Sequence, residues 1–457
     1  MENTSEDRIY QIHQSQKEFF ARYETLDIKF RKENLRKLQS ALYKWERPLY
    51  EALWHDLHKS EEESFLCELS IVHAEIRDAI RHLGSWTRPT HVHTPVSLFP
   101  SRSMIESQPL GCTLIIAPWN YPIQLLLNPL VGAIAAGCTA VLKPSPYVPT
   151  VTEVITKMIS ETFDEKYIAI VNGGRNVNGT LLALRWDMIF FTGSPSLGKT
   201  VMQAAAQNLT PVVLELGGKS PCIVDKDADI RLSARRIAWG KSLNAGQTCI
   251  APDYILVHES VKECFVRELS EQFESLYDSN VHASKHFARI VSDKAFDRLE
   301  SYLREGDIVY GGERNRNERY IAPSIIDHVH DSYAIMHEEI FGPIFPIRSF
   351  KCIDEVLEYV NSKERPLALY YFGHKNADYI RSHSYSGGCC INDTIMHIAN
   401  SKLPFGGVGN SGIGAYHGKA SFDAFSHKRS ILKTPTWIDT PFRYMPYRLF
   451  KAVKKLL

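Results

Sequence analysis

Apolar positions in the first part of the chain recur at helical spacing. Phe20, Tyr23, Ile28, Leu35, Leu38 and Leu42 punctuate an otherwise charged stretch, which predicts amphipathic helices covering one face of a domain. From Gly111 the period shortens. Brief apolar runs at 112–117, 139–143, 167–171, 188–192 and 211–214 predict strands, separated by helical stretches at 150–163, 177–184 and 196–207. The longest apolar run, 125–142, holds Asn128, Pro129, Gly132 and Gly137 and leads into Lys143-Pro144, so it predicts a buried helix followed by a strand and not a membrane span. After Glu215 a second alternation begins, with strands at 220–224, 254–257, 344–350, 368–372 and 388–392 and helices at 234–242 and 261–277.

Alternating strands and helices are the signature of parallel sheets wrapped on both faces, which bind ligands beyond the carboxyl ends of their strands. Three turns fall there on one rim: Pro118-Trp119-Asn120, Lys143-Pro144-Ser145 and Thr192-Gly193-Ser194. The predicted fold class is α/β, a Rossmann-like doubly wound unit followed by a second α/β unit.

Composition narrows the field. A chain of 457 residues is long enough for two or three domains. Lys plus Arg number 53 and Asp plus Glu 52, so no global field attracts nucleic acid or an anionic membrane. Nine cysteines without paired spacing, and no signal peptide, predict a reduced protein of the cytoplasm. His91/His93 and His328/His330 lack partner ligands at zinc spacings, and no metal is predicted.

The candidate chemistry begins at Asn244-Ala245-Gly246-Gln247-Thr248-Cys249. A thiol of ordinary pKa, ~8.5, is mostly protonated at neutral pH, and only the thiolate attacks well. Backbone N–H groups of the glycine-containing turn are expected to lower that pKa and to cradle a charged oxygen. Glu215, in Leu214-Glu215-Leu216-Gly217-Gly218-Lys219, and Glu339, in Glu338-Glu339-Ile340-Phe341-Gly342-Pro343, are the candidate bases. A competing motif, Gly193-Ser194-Pro195-Ser196-Leu197-Gly198-Lys199-Thr200, satisfies the P-loop pattern of nucleotide triphosphatases. It follows a fourth strand where a first is usual, and Pro195 removes an N–H that phosphate would need. A Gly-Ser turn opening a helix still suits a dinucleotide's pyrophosphate.

Pro118-Trp119-Asn120-Tyr121-Pro122, Lys143-Pro144-Ser145, Phe191-Thr192-Gly193-Ser194, Glu215-Leu216-Gly217-Gly218-Lys219-Ser220-Pro221, Gly246-Gln247-Thr248-Cys249 and Glu339-Ile340-Phe341-Gly342-Pro343 occur in this order over most of the chain. In this the chain resembles the aldehyde dehydrogenase superfamily. Cys249-Ile250-Ala251-Pro252-Asp253-Tyr254, 403–409 and Tyr416-His417-Gly418-Lys419 are similar to its class 3 branch of fatty and aromatic aldehyde dehydrogenases. The resemblance implies NAD(P)-dependent oxidation of an aldehyde to an acid through a thiohemiacetal and a thioester. Cys249 would be the nucleophile, Asn120 and the Cys249 N–H the oxyanion donors, and Glu215 the usual base, with Glu339 able to share that role. Lys143, Trp119, Gly193, Ser194, Glu339 and Phe341 would hold NAD or NADP. Many members carry a glutamate three residues after the lysine, where this chain has Pro146. Its loss removes a preference for the free 2′-hydroxyl, so NADP is expected to serve as well as NAD.

The resemblance further implies a cofactor domain at 1–94 and 109–215, a catalytic domain at 216–397, and an oligomerisation element at 95–108 and 398–457 serving a homodimer. The carboxyl tail places Leu449, Phe450, Val453, Leu456 and Leu457 on one stripe, with Arg448, Lys451, Lys454 and Lys455 largely off it. That segment suits a dimer partner or a peripheral membrane contact. Tyr121 and Phe405 suggest an apolar approach to the sulfur, hence medium- or long-chain aliphatic or aromatic aldehydes. A coenzyme A-acylating dehydrogenase is the alternative within the family, and the P-loop triphosphatase the alternative outside it.

Overall fold

The computed structural model describes residues 2–277, 280–439, 444–447, 450 and 454. Three principal sheets organise it. In spatial order, the first holds six strands: Gly412–Ile413, Val212–Leu216, Met188–Gly193, Cys112–Ile116, Thr139–Lys143 and Ile168–Ile170. All neighbours are parallel except Gly412–Ile413, which returns antiparallel along Val212–Leu216. Side chains alternate between faces, as the strand period of two requires. Leu114, Val141, Ile189 and Phe191 pack beneath the helices Glu6–Phe20, Arg175–Ala183 and Pro195–Ala206. Ile115, Leu142 and Phe190 belong to the core on the opposite face, under Gln124–Ala136 and Pro149–Thr162.

From Cys112–Ile116 the chain moves outward through Thr139–Lys143 to Ile168–Ile170, then crosses back to Met188–Gly193 on the other side. The strand order thus reverses beside Cys112–Ile116, and a crevice opens past the carboxyl ends there. The run at 125–142 forms the helix Gln124–Ala136 and the strand Thr139–Lys143, buried throughout. Gly137 separates them at φ 97, a conformation that glycine adopts without strain.

The second sheet holds seven strands, in the order Asp307–Tyr310, Ser324–Asp327, Ile344–Phe350, Tyr254–His258, Pro221–Val224, Ala368–Phe372 and Gly388–Ile391. The third is an antiparallel trio of Thr90–Val92, Arg102–Pro109 and Ser426–Lys433. The helix Lys419–Ala424 packs on Gln124–Ala136, where Ser421 meets Gly132.

The amino-terminal helices are Glu6–Phe20, Ile28–Leu57 and a run from Glu61 to Trp86 interrupted by a π turn at Phe65–Leu69. Leu35, Leu38 and Leu42 are buried as expected, but Tyr23 and Ile28 are exposed. The chain turns between the first two helices there, with Tyr23 at φ 61. No helix among the described residues is long and apolar enough to cross a membrane. The stripe expected on the tail lies outside the described residues apart from Phe450, which is exposed, and of the basic residues expected off it only Lys454 is described.

Candidate active site

The helix Ile230–Ser242 ends in a tight turn, Leu243–Gly246, that delivers Cys249 to the floor of a cavity. Asn244 and Ala245 both sit at φ 50, in the left-handed region that costs an L-residue with a Cβ roughly 1–2 kcal/mol. Hydrogen bonds hold them there. The Asn244 N–H donates to Glu63 Oε1 (2.7 Å), and its Nδ2 to the carbonyls of Asn120 (2.9 Å) and Gln247 (3.2 Å). The Gln247 side chain donates to Asn244 and Arg289 carbonyls (3.0 Å each) and accepts from Val291 N–H (3.0 Å). Gly246, at φ 74, leaves no room for a Cβ against the Gly342 carbonyl.

Asn120 follows the strand Cys112–Ile116 and is buried. Its Nδ2 donates to the Gln247 carbonyl at 3.1 Å, so the side chain reaches the same turn that carries Cys249. The next residue is tied in as well, with the Tyr121 and Thr248 hydroxyls 2.7 Å apart.

Glu215 reaches the site from Val212–Leu216, in register with Thr192 on one side and Gly412 on the other. It is buried, and neither carboxylate oxygen has a hydrogen-bond partner. Burial alone holds its carboxyl well above the ordinary range. Glu339 lies in the loop before Ile344–Phe350. Its Oε1 is also unpartnered, and its pKa is pushed up to about 8, by burial first and then by the charge of Asp253. A Cβ on Gly217 would overlap the Glu339 carboxylate, so Gly217 makes space for this second acid.

The Cys249 thiol behaves opposite to expectation. Burial raises its pKa above the ordinary thiol value, and the carboxylates of Glu339 and Glu215 raise it further. The N–H groups of Cys249 and Ile250 do favour the thiolate, as the turn predicts, but they are outweighed. Desolvation depends on the whole fold and not on the local turn.

On the crevice side, Lys143 ends its strand buried. Its Nζ donates to the Pro144 carbonyl (2.8 Å), and burial lowers its pKa to about 8. Ser194 caps the helix Pro195–Ala206, its Oγ accepting from Leu197 N–H (3.4 Å), and a Cβ on Gly193 would overlap the Phe191 ring. Trp119 and Phe341 meet edge to face, ring centres 5.4 Å apart at 78°. A lysine with spare donors, a helix amino terminus and an unpartnered Glu339 oxygen fit a dinucleotide. They do not form a P-loop, because the helix begins at Pro195. Ser196 to Gly198 are therefore helical and Lys199 is exposed, leaving no loop to wrap a triphosphate. Among the described residues no group of three His, Cys, Asp or Glu is placed to hold a metal ion.

The cavity above Cys249 has a volume of ≈ 350 Å³ and is walled by Tyr121, Leu125, Trp239, Ile250, Ile395 and Phe405 among others. Ile395 adopts φ 62, a left-handed conformation unusual for a β-branched residue.

Three charged residues, Asp253 buried and Lys219 and Arg298 half-buried, escaped the sequence reading. Lys219 donates to Asp253 and to the carbonyls of Ile335 (2.7 Å) and Glu338 (2.9 Å). Asp253 in turn accepts from Ile340 N–H (2.8 Å). Arg298 donates to the carbonyls of Glu339 (3.0 Å) and Ile340 (2.8 Å). Together they fix the Glu339–Phe341 loop. The position of Lys219 directly after Gly217-Gly218 was the one available signal.

The chain matches the aldehyde dehydrogenase family over residues 1–431. It is 48% identical over 452 residues to 4,4'-diaponeurosporen-aldehyde dehydrogenase of Staphylococcus aureus (strain NCTC 8325 / PS 47), covering 98% of both chains. It is 42% identical over 446 residues to aldehyde dehydrogenase family 3 member B1 of Mus musculus, covering 97% of this chain and 94% of that one. A solved structure described as "Substrate bound state of Staphylococcus Aureus AldH" superposes with a TM-score of 0.96 at 46% identity, covering 98% of this chain and 99% of the other. The chain belongs to the aldehyde dehydrogenase family, whose members oxidise aldehydes with a pyridine nucleotide.

Proposed function

We propose that this enzyme oxidises apolar aldehydes, medium- or long-chain aliphatic or aromatic, to carboxylic acids at Cys249. The observation that carries this reading is the apolar cavity whose floor is that cysteine. The S. aureus relative, named for 4,4'-diaponeurosporen-aldehyde, is consistent with it.

The thiol is raised in pKa, so it needs a proton acceptor as it attacks, and the unpartnered Glu215 carboxylate is suited to that. The carbonyl oxygen becomes an anion held by Asn120 Nδ2 and the Cys249 N–H. Lys143, Trp119, Gly193, Ser194, Glu339 and Phe341 would hold the dinucleotide. Once bound, its oxidised nicotinamide supplies the two-electron acceptor that turns a thiohemiacetal into a thioester. After passing the thiol's proton to solvent, Glu215 draws a second proton from the water that attacks the thioester, which releases the acid and returns Cys249 as a thiolate. Glu339, raised to about 8 and held by its loop, shares the site as ribose contact and reserve base.

Position 146 is an exposed proline with no carboxylate to oppose a 2′-phosphate, which supports use of NADP as well as NAD. The pairing of Arg102–Pro109 with Ser426–Lys433 supports grouping 95–108 with 398–457 as the oligomerisation element of a homodimer, beside a cofactor domain (1–94 and 109–215) and a catalytic domain (216–397), although Thr90–Val92 joins that pair and Gly412–Ile413 joins the cofactor sheet. Nine unpaired cysteines support a cytoplasmic location.

The test is an aldehyde panel from short polar to long apolar, followed by reduced-nicotinamide absorbance with each cofactor, on wild type and Cys249→Ser. kcat/KM should climb with apolar length, and Cys249→Ser should lose ~10³-fold or more. A preference for small polar aldehydes would overturn the substrate class. An NAD preference above about a hundredfold, ~2.7 kcal/mol, would overturn dual cofactor use.

A further inference from the structure

We infer that the buried Lys59–Glu68 pair positions the oxyanion donor Asn120, which brings the amino-terminal helices into catalysis. The inference rests on the role proposed above for Asn120. Both side chains are fully buried. The Lys59 ammonium donates to Glu68 Oε1 (2.7 Å) and to the Asn120 carbonyl (2.9 Å), and lies 4.2 Å from the centre of the Tyr121 ring. The other oxygen of Glu68 accepts the N–H groups of Ile123 (2.8 Å) and Gln124 (3.3 Å), at the start of the helix Gln124–Ala136. One ion pair thus grips 120–124 at both ends, by a carbonyl and by two amides.

Glu68 comes from the π turn Phe65–Leu69, and such bulges, which shift the faces of the flanking helix, concentrate at functional sites. On the opposite side the Asn120 carbonyl also accepts Asn244 Nδ2 (2.9 Å) from the nucleophile turn. The backbone of Asn120 is therefore held from two directions, and its amide stands 3.1 Å from the Gln247 carbonyl. Burying two charges is costly, and an apolar pair would join these helices as well or better. What an apolar pair cannot do is hold a carbonyl and two N–H groups in register, and a displacement of about 1 Å in a catalytic donor can cost ~10²-fold in rate.

The experiment replaces both charges with apolar side chains, Lys59→Met with Glu68→Met, alone and in an Asn120→Ala background. Expected are a folded protein with a Tm somewhat below wild type, since the Ile123 and Gln124 N–H groups lose their acceptor, an aldehyde KM within about twofold, and a single-turnover rate of NAD(P)H formation reduced ~10- to 100-fold. In the Asn120→Ala background the pair's removal should cost nothing more, since both changes disable one donor. If Asn120→Ala slows the enzyme while the paired substitution does not, the pair is only structural and the inference falls alone. If Asn120→Ala itself leaves the rate intact, the oxyanion assignment falls and the inference with it. Should the paired variant not fold, Glu68→Gln serves instead. A smaller loss that vanishes beside Asn120→Ala supports the proposal, and a wild-type rate overturns it.

Discussion

The two sides of the reacting sulfur are built on opposite plans. On the side of the turn, Gln247 and Asn120 are bound to fixed partners, and Lys59 and Glu68 tie down the flanking chain. On the carboxylate side, both oxygens of Glu215, which is buried, and one of Glu339, which is half-buried, have no partner. Satisfied buried polar groups fix geometry, and unsatisfied ones retain the capacity to exchange a proton or accept a ligand. Geometry is supplied by one half of the site and proton transfer by the other.

The largest expected effect tests this split directly. Glu215→Gln keeps the shape of the side chain and removes the base, which should slow turnover by ~10²–10⁴-fold. Release of the acid should suffer more than the first oxidation, so one equivalent of NAD(P)H should appear and then stall. Mass spectrometry should show the acyl group on Cys249. If Glu339→Gln stalls in this way and Glu215→Gln does not, the two carboxylates exchange roles.

Gly217→Ala is the next sharpest probe. The added Cβ would overlap the Glu339 carboxylate, which Lys219, Asp253 and Arg298 hold in place through the neighbouring backbone. Overpacking of this kind costs up to ~3 kcal/mol. It should appear as a higher KM for the dinucleotide with little change in KM for the aldehyde. Equal changes in both would mean that Glu339 does not face the cofactor.

The same contrast explains what could be read in advance. Strands such as Thr139–Lys143, Ile344–Phe350 and Ala368–Phe372 are short apolar runs bounded by breakers, and their limits are visible in the chain. Asp307–Tyr310 is mostly exposed, and Gly412–Ile413 is two residues within a glycine-rich stretch, so neither carries a burial pattern to detect. Glu215, at the end of its strand, and Cys249 and Glu339 stand beside glycine-marked turns and are visible for that reason. Lys59 is 61 residues from the carbonyl it holds, in a helical region of ordinary polarity, and a π turn leaves no periodic trace. The direction of the Cys249 shift is not legible in the chain, because a turn is local and desolvation is not.

The smallest effect asks whether hydrogen bonding or burial decides the charge of an acid in this cavity. Glu75 lines it from the helix Ser70–Trp86 and, unlike Glu215, is partnered, its Oε1 accepting Gly418 N–H (2.6 Å) and Ser421 Oγ (3.0 Å). Burial nevertheless pushes its pKa up to about 7 against those two donors. The unfolded chain releases this proton near pH ~4.3, so between there and about 7 the native state binds more protons than the unfolded one. The stabilisation is fully present below pH ~4.3 and is lost as pH rises through about 7. Between about pH 5.5 and 7 the change amounts to ~1.5 kcal/mol. Glu75→Gln should remove that part of the slope in thermal melts across the same range. An unchanged slope would mean that Glu75 is already ionised in the native state, with its two donors prevailing over burial.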